Sequence, residues 1–234
     1  MDWIQEISLL SCTDAISTSS AIQIRIKDSR VTLANLKAKQ IYSTFVLDKW
    51  EKPTAFGKWE LDYDVSNDWT NILSLSYSCT RDTRLQAFHY RIVNRILPCR
   101  KWLNRLTVVD SDKCLICNEV DDIEHFLFNC PTTRVFWEHL ERWWNRLSHC
   151  RVSLTIKHIL FGIYYDLKYF SEINFVILLA KHYIYIKKHY KEHICFFAFL
   201  GTLKYKLSIE EYIHKMNSNL DIFQKKWQNI YDEL

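Results

Sequence analysis

Four residues constrain this chain more than any others: Cys114, Cys117, His125 and Cys130. They stand in the stretch Ser111–Trp137, with two residues between the first pair, seven before the histidine and four before the last cysteine. Three thiolates and one imidazole suit a tetrahedral structural Zn²⁺ site, which leaves no open position for a substrate. The first pair fits a tight turn that aims both sulfurs inward. Residues 122–128 read as a short helix presenting His125 on its inner side. Pro131 directly after Cys130 stops that helix and turns the fourth ligand back towards the first pair. Thr132 or Thr133 is the expected cap of the next helix. Two readings compete: a redox Cys-x-x-Cys, and a substitute ligand among His139, His149 and Cys150.

Composition sets the fold class. The 234 residues are 48% hydrophobic and 15% aromatic, so a packed core is readily supplied. Only three Gly and three Pro occur, which favours long helices over turn-rich β architectures. The expectation is a mostly α chain, an irregular helical bundle with a small zinc-stapled loop-helix module and a short β element near the N-terminus. Three segments are expected: a connector at 1–80, a basic helix plus zinc module at 81–150, and a C-terminal helical region at 151–234. Eight cysteines in a chain this long do not make a disulfide scaffold. The opening Met1-Asp2-Trp3 carries no secretory pattern, and the apolar run Phe175–Ala180 is far too short to span a bilayer. An intracellular setting, nucleus or cytoplasm, is expected, with Cys12, Cys79, Cys99, Cys150 and Cys195 mostly acting as buried small hydrophobes.

Along the chain, Ile22–Lys27 alternates with strand period. Thr32 is read as the cap of a helix carrying Leu33, Leu36, Ile41 and Phe45. Lys52-Pro53-Thr54 marks a helix start, with Phe56, Trp59, Leu61 and Tyr63 for packing. Thr83 is read as capping a helix to residue 97 whose Leu85, Phe88, Ile92 and Ile96 form one buried stripe. Beside it Arg84, Arg91 and Arg95 fall within about 40° of one another at helical pitch. Arg100, Lys101 and Arg105 continue the charge, so residues 81–106 hold seven Lys/Arg against one acid. Phosphate contacts are expected there, with Trp102 and His89 as stacking groups; a plain solvated basic face is the alternative. A second basic-aromatic cluster contains Lys181, Lys187, Lys188 and Lys191 among Tyr183, Tyr185 and Tyr190, with snorkelled lysines over a buried face as the competing view. Residues Phe136, Leu140, Trp143 and Leu147 repeat as a core stripe. Ser208–Glu211 spells a capping box, and Ile213, Met216, Leu220, Phe223, Trp227, Ile230 and Leu234 form a narrow packing seam.

The run from Asp82-Thr83 through Asn94-Arg95-Ile96-Leu97-Pro98, Cys114…Cys117…Ile123-Glu124-His125…Cys130-Pro131 and Phe136-Trp137 resembles the C-terminal zinc-binding region of LINE-type non-LTR retrotransposon reverse transcriptases. Lys52-Pro53-Thr54 with Lys58-Trp59-Glu60 resembles the segment upstream, and Leu178–Lys181 with Phe223…Lys226-Trp227 the region downstream. The resemblance implies a tail that holds RNA or DNA near a polymerase, with structural Zn²⁺ as cofactor and no membrane partner. The polymerase carboxylates and the endonuclease are missing here, so the chain is expected not to be an enzyme. A protein-interaction module using the C-terminal seam is the alternative function.

Overall fold

A computed structural model describes residues 23–26, 29–32, 51–65, 67–148 and 151–234. The chain divides into two compact units, Met1–Lys52 and Pro53–Leu234. In the first, strands β1 (Gln23–Ile26) and β2 (Ser29–Thr32) pair antiparallel, with Gln23 opposite Thr32 and Ile26 opposite Ser29. Thr32 is therefore a strand residue. Ile22, Lys27 and the helix expected over Leu33–Phe45 lie outside the described residues, as do Cys12 and Cys150.

Among the described residues of the second unit, the regular elements are helices, joined by loops. Helix α1 (Thr54–Tyr63) starts behind Pro53, whose fixed φ suits a helix entry, and ends where Asp64 turns left-handed at φ 49°. It buries Ala55, Phe56 and Trp59 but leaves Leu61 almost fully in solvent. The Trp59 indole N–H donates to the Val93 carbonyl at 2.9 Å, fixing α1 on the helix that ends at Val93. Helix α2 (Trp69–Cys79) follows, with Ile72, Leu75 and Cys79 inward.

Helix α3 (Thr83–Val93) is capped by Asp82 rather than Thr83: the Asp82 carboxylate accepts the Arg84 N–H at 2.9 Å. Leu85, Phe88 and Ile92 are buried as their spacing requires. The helix stops four residues short of the expected residue 97. Arg95 adopts φ 57°, the chain turns away, and Ile96 lies 43% exposed. A left-handed residue cannot sit inside an α-helix, so the turn breaks the expected stripe. Helix α4 (Arg100–Arg105) leads to the cysteine-bearing loop, and α5 (Pro131–Leu147) leaves it. As expected, Phe136, Trp137, Leu140, Trp143 and Trp144 on α5 are core residues.

Helix α6 (Ile156–Phe161) ends at Gly162, where φ is +80° and an added Cβ would meet Leu75 Cδ1 at 2.2 Å. The segment apolar on all sides becomes α7 (Ser171–His189), whose residues 173–181 are all buried. It packs against α2, α3, α6 and the helix that follows it, so one core draws on residues from 53–80, 81–150 and 151–234 alike. The closing seam is not one helix. Helix α8 (Phe196–Met216) runs through Ser208, which bonds the Tyr205 carbonyl instead of capping. A turn with Ser218 at φ 55° then reverses the chain into α9 (Leu220–Tyr231). Phe223, Trp227 and Ile230 pack inward within the chain, while Ile213 and Met216 face solvent.

Two buried basic groups burden this core. His89 donates Nε2–H to the Ile72 carbonyl at 3.0 Å, and burial with the Lys181 charge pulls its pKa to about 3. Lys181 is wholly enclosed, with its amine on the Leu160 carbonyl at 3.3 Å; burial pulls it to about 7. An unfolded lysine holds its proton up to about pH 10.5. The unfolded state therefore binds the extra proton between about pH 7 and 10.5, and stability rises with pH across that window. Below 6.5, falling pH removes the stability that neutral His89 contributes. Lys181→Met should flatten the upper rise and raise stability at about pH 6 by roughly 1–3 kcal/mol. Melting across pH checks this; an unaltered pH slope in the variant contradicts it.

Candidate metal centre

The loop between α4 and α5 folds by local hydrogen bonding. Lys113 and Val120 form an antiparallel bridge, and the Cys114 N–H donates to the Glu119 carbonyl at 2.7 Å. Inside that bridge Asn118 adopts φ 62° and returns its N–H to the Cys114 carbonyl. Asparagine tolerates the left-handed region well, so the turn costs little and both cysteines point into it. Past the bridge the Asp122 carboxylate accepts the His125 N–H at 3.0 Å. The expected helix at 122–128 is instead a π-helical turn, His125–Asn129. That wider turn brings the Cys130 N–H onto the His125 carbonyl at 3.0 Å, so both residues face the same point.

Cys130 itself starts α5, with Pro131 in the first position. The two threonines do not cap the helix by accepting its N–H groups. Thr133 donates to the Cys130 and Phe128 carbonyls, and the Thr132 hydroxyl sits 3.3 Å from Cys130 Sγ. The Trp137 indole N–H then holds the Leu127 carbonyl at 2.7 Å, which locks the π turn onto α5.

The result is a compact four-ligand cluster. One ligand atom from each of Cys114, Cys117, His125 and Cys130 lies within 4.8 Å of every other. Cys114 and Cys130 sulfurs are 3.9 Å apart, and Cys117 Sγ is 3.2 Å from His125 Nε2. A tetrahedron with metal–sulfur bonds near 2.3 Å has edges of about 3.8 Å, so the spacing fits a shared ion. Three ligands are buried and Cys117 is half-buried. Four protein ligands complete such a coordination sphere, which gives the site a structural rather than a substrate-binding chemistry. His139 is not among them: it is exposed on α5 and stacks on Phe196. His149 and Cys150 lie outside the described residues.

The surroundings favour the thiolate at Cys130. Burial opposes ionisation of Cys130, yet the Thr132 hydroxyl and the Lys188 ammonium outweigh it and hold its thiol below the ordinary value. Burial raises Cys114, and burial together with Lys188 lowers His125, keeping the imidazole neutral and able to ligate. Lys188 comes from the far end of α7. Its amine donates to the Phe126 carbonyl at 2.8 Å and stands 4.6 Å over the Phe126 ring.

The cations named from sequence do not form one row. Arg84 and Arg91 are exposed on α3; Arg84 acts on His182, and Arg91 on Tyr185 of α7. Arg95 has left the helix, stacks 3.9 Å over Trp59 and pairs with Asp62 at 3.0 Å. Lys101 pairs with Asp122 at 3.2 Å, whereas Arg105 is exposed. With Lys58 and Trp102, these last three line a groove of about 500 Å³. Arg100 and Lys188 instead border a second cleft on the other side of α4. Lys187 is bound to Glu192. Lys181 is in the core and has no surface role, and His89 is likewise a core residue, closed to any stacking base. Of the remaining cysteines, Cys79 and Cys99 are buried and Cys195 is half-buried.

Sequence reasoning missed two anchors. Asp121 accepts the Arg100 N–H on its carboxylate and the Lys101 N–H on its carbonyl, binding α4 to the cysteine loop. Lys188 lies 62 residues from the group it bonds, a separation no local pattern reports.

Residues 62–137 match the family described as zinc-binding in reverse transcriptase. No curated protein and no solved structure matches the chain. The match and the four-ligand cluster together support a reverse-transcriptase zinc-binding region over this stretch. Among the described residues no helix is long and apolar enough to cross a membrane.

Three thiolates around a divalent ion leave one net negative charge, and Lys188 is the cation positioned to offset it. Lys188→Met should weaken Zn²⁺ binding by roughly tenfold or more, read by competition with a chromophoric chelator. Equal affinity in the variant would refute the role of Lys188.

Proposed function

We propose that the chain is a zinc-binding, nucleic-acid-binding tail of a non-LTR retrotransposon reverse transcriptase of the LINE type, a fragment or a separately encoded remnant. It holds RNA or DNA near a polymerase supplied elsewhere. The observation that carries this is the Cys₃His cluster inside a stretch matching reverse-transcriptase zinc-binding regions. Soft ligands at tetrahedral spacing favour Zn²⁺ among common cellular ions. The ion joins the Cys114–Cys117 turn to the start of α5, while Asp121 ties α4 to that turn. Zinc thereby fixes Arg100, Lys101 and Arg105 relative to the α3 arginines.

We read the tail as non-catalytic. The adjacent pair Asp121-Asp122 holds the Arg100 and His125 N–H groups and Lys101. A protein-interaction role is the second reading, and one observation favours it. Tyr205, Ile209, Tyr212, Ile213 and Met216 leave an apolar strip exposed on α8, on residues other than those that receive α9.

Salt separates the two. Removing Zn²⁺ by chelation should lower the melting temperature and the RNA affinity together, since the site contributes folding free energy. Binding of RNA should weaken steeply with salt, and Arg91→Ala should lower affinity at low salt by losing about one phosphate contact. Affinity independent of salt and of Arg91 would favour the apolar strip of α8. A protein that binds no zinc would remove the basis of the proposal.

A further inference from the structure

The second cleft, between the cysteine turn, α4 and the end of α7, has about 590 Å³ of space and walls unlike the first groove. Leu103, Ile116, Phe126, Tyr185 and Ile194 give it apolar sides. Ile116 is 54% exposed although it sits within the metal-binding turn, so the turn displays an apolar group towards the opening instead of burying it. The Tyr185 ring is held in place by Phe88 and Phe126 at tilted contacts of 5.3 and 5.9 Å, and the His189 ring stacks beside it at 6.0 Å.

Charge frames these walls. Arg100 lies at one side, while Lys191 and His193 lie on the turn that closes α7. Lys191 takes φ 57° there, and its N–H returns to the Lys188 carbonyl, which curls the turn beside the cleft. Among the described residues neither Arg100 nor Lys191 has a carboxylate within ion-pair distance. Of the two acids lining the cleft, Glu192 is paired with Lys187, and Asp121 accepts the Arg100 N–H on one carboxylate oxygen while the other is buried without a partner. Arg91, acting on Tyr185, extends the positive field along α3.

An apolar slot with an aromatic face and a cationic border matches a group that is flat and apolar on its faces yet tethered to an anion. We infer that this cleft takes one unpaired base of a single-stranded nucleic acid, stacked on Tyr185, with its flanking phosphates at Arg100 and Lys191. A base held in a duplex is stacked and paired and cannot enter without being extruded. The inference rests on the nucleic-acid reading above and adds to it a strand preference and a place of contact. In the first groove two of the lining cations, Arg95 and Lys101, are already paired with Asp62 and Asp122.

The test uses the full zinc-loaded chain and three probes: a short single-stranded RNA, the same length with abasic sites, and the RNA as a duplex. The base-bearing single strand should bind roughly tenfold or more tighter than the abasic strand, as one stacked base predicts. Tyr185→Leu keeps apolar volume against Phe88 and Phe126 and should erase that difference while leaving duplex and abasic binding unchanged. Ile116→Ser, at an exposed position, should reduce the same difference and serves if Tyr185→Leu does not fold. Equal binding of base-bearing and abasic strands, both steeply salt-dependent, overturns the cleft assignment and leaves the nucleic-acid reading standing. No binding of any probe overturns both.

Discussion

The convergence of four side chains on one point is the constraint from which the rest of this region follows. Left-handed Asn118 makes the first cysteine pair face inward, and the π-helical turn at 125–129 makes His125 and Cys130 do the same. The π turn seats Phe126 and Leu127 in the core, whereas the cysteine turn buries little apolar area of its own. Between Val109 and Val120 no large hydrophobic side chain is buried, and Leu115 and Ile116 are exposed. A segment so poor in core cannot offset its ordering entropy by burial, so an ion shared by four ligands is the natural source of its stability.

The centre is also tied into the larger fold by contacts of long sequence reach. Trp137 clamps the π turn from α5, Asp121 clamps α4, and Lys188 arrives from α7 to bond the residue next to His125. Lys188 belongs to the same helix whose middle forms the buried spine of the unit. Local order at the cluster and packing of α7 are therefore linked by the Lys188 ammonium and by the Tyr185 ring on Phe126. The same α7 carboxy-terminal region borders both the metal ligands and the cationic cleft, which puts the ion and any ligand in that cleft on a shared framework.

Much of this was legible from residues alone, and the failures have identifiable causes. The ligand set, the core stripe of α5 and the buried α7 follow from ligand chemistry and from periodicity, both of which are local. The arginine row failed because one residue, Arg95, adopts φ 57° and ends α3 early; nothing in the spacing of Leu85, Phe88, Ile92 and Ile96 reports that turn. The C-terminal seam failed in the same way at Ser218, where a heptad-like pattern continues through a helix break. Lys181 was misplaced because a lysine is seldom fully enclosed, and only tertiary packing shows this one against the Leu160 carbonyl. The cap expected at Thr83 falls on Asp82, one residue earlier, because both types can accept a helix N–H.

X-ray absorption at the zinc edge of the purified chain tests the central claim most directly. The account predicts one zinc per chain with a first shell of three sulfurs at about 2.3 Å and one nitrogen at about 2.0 Å. A shell of oxygen and nitrogen alone, or a protein that carries no zinc, would contradict it.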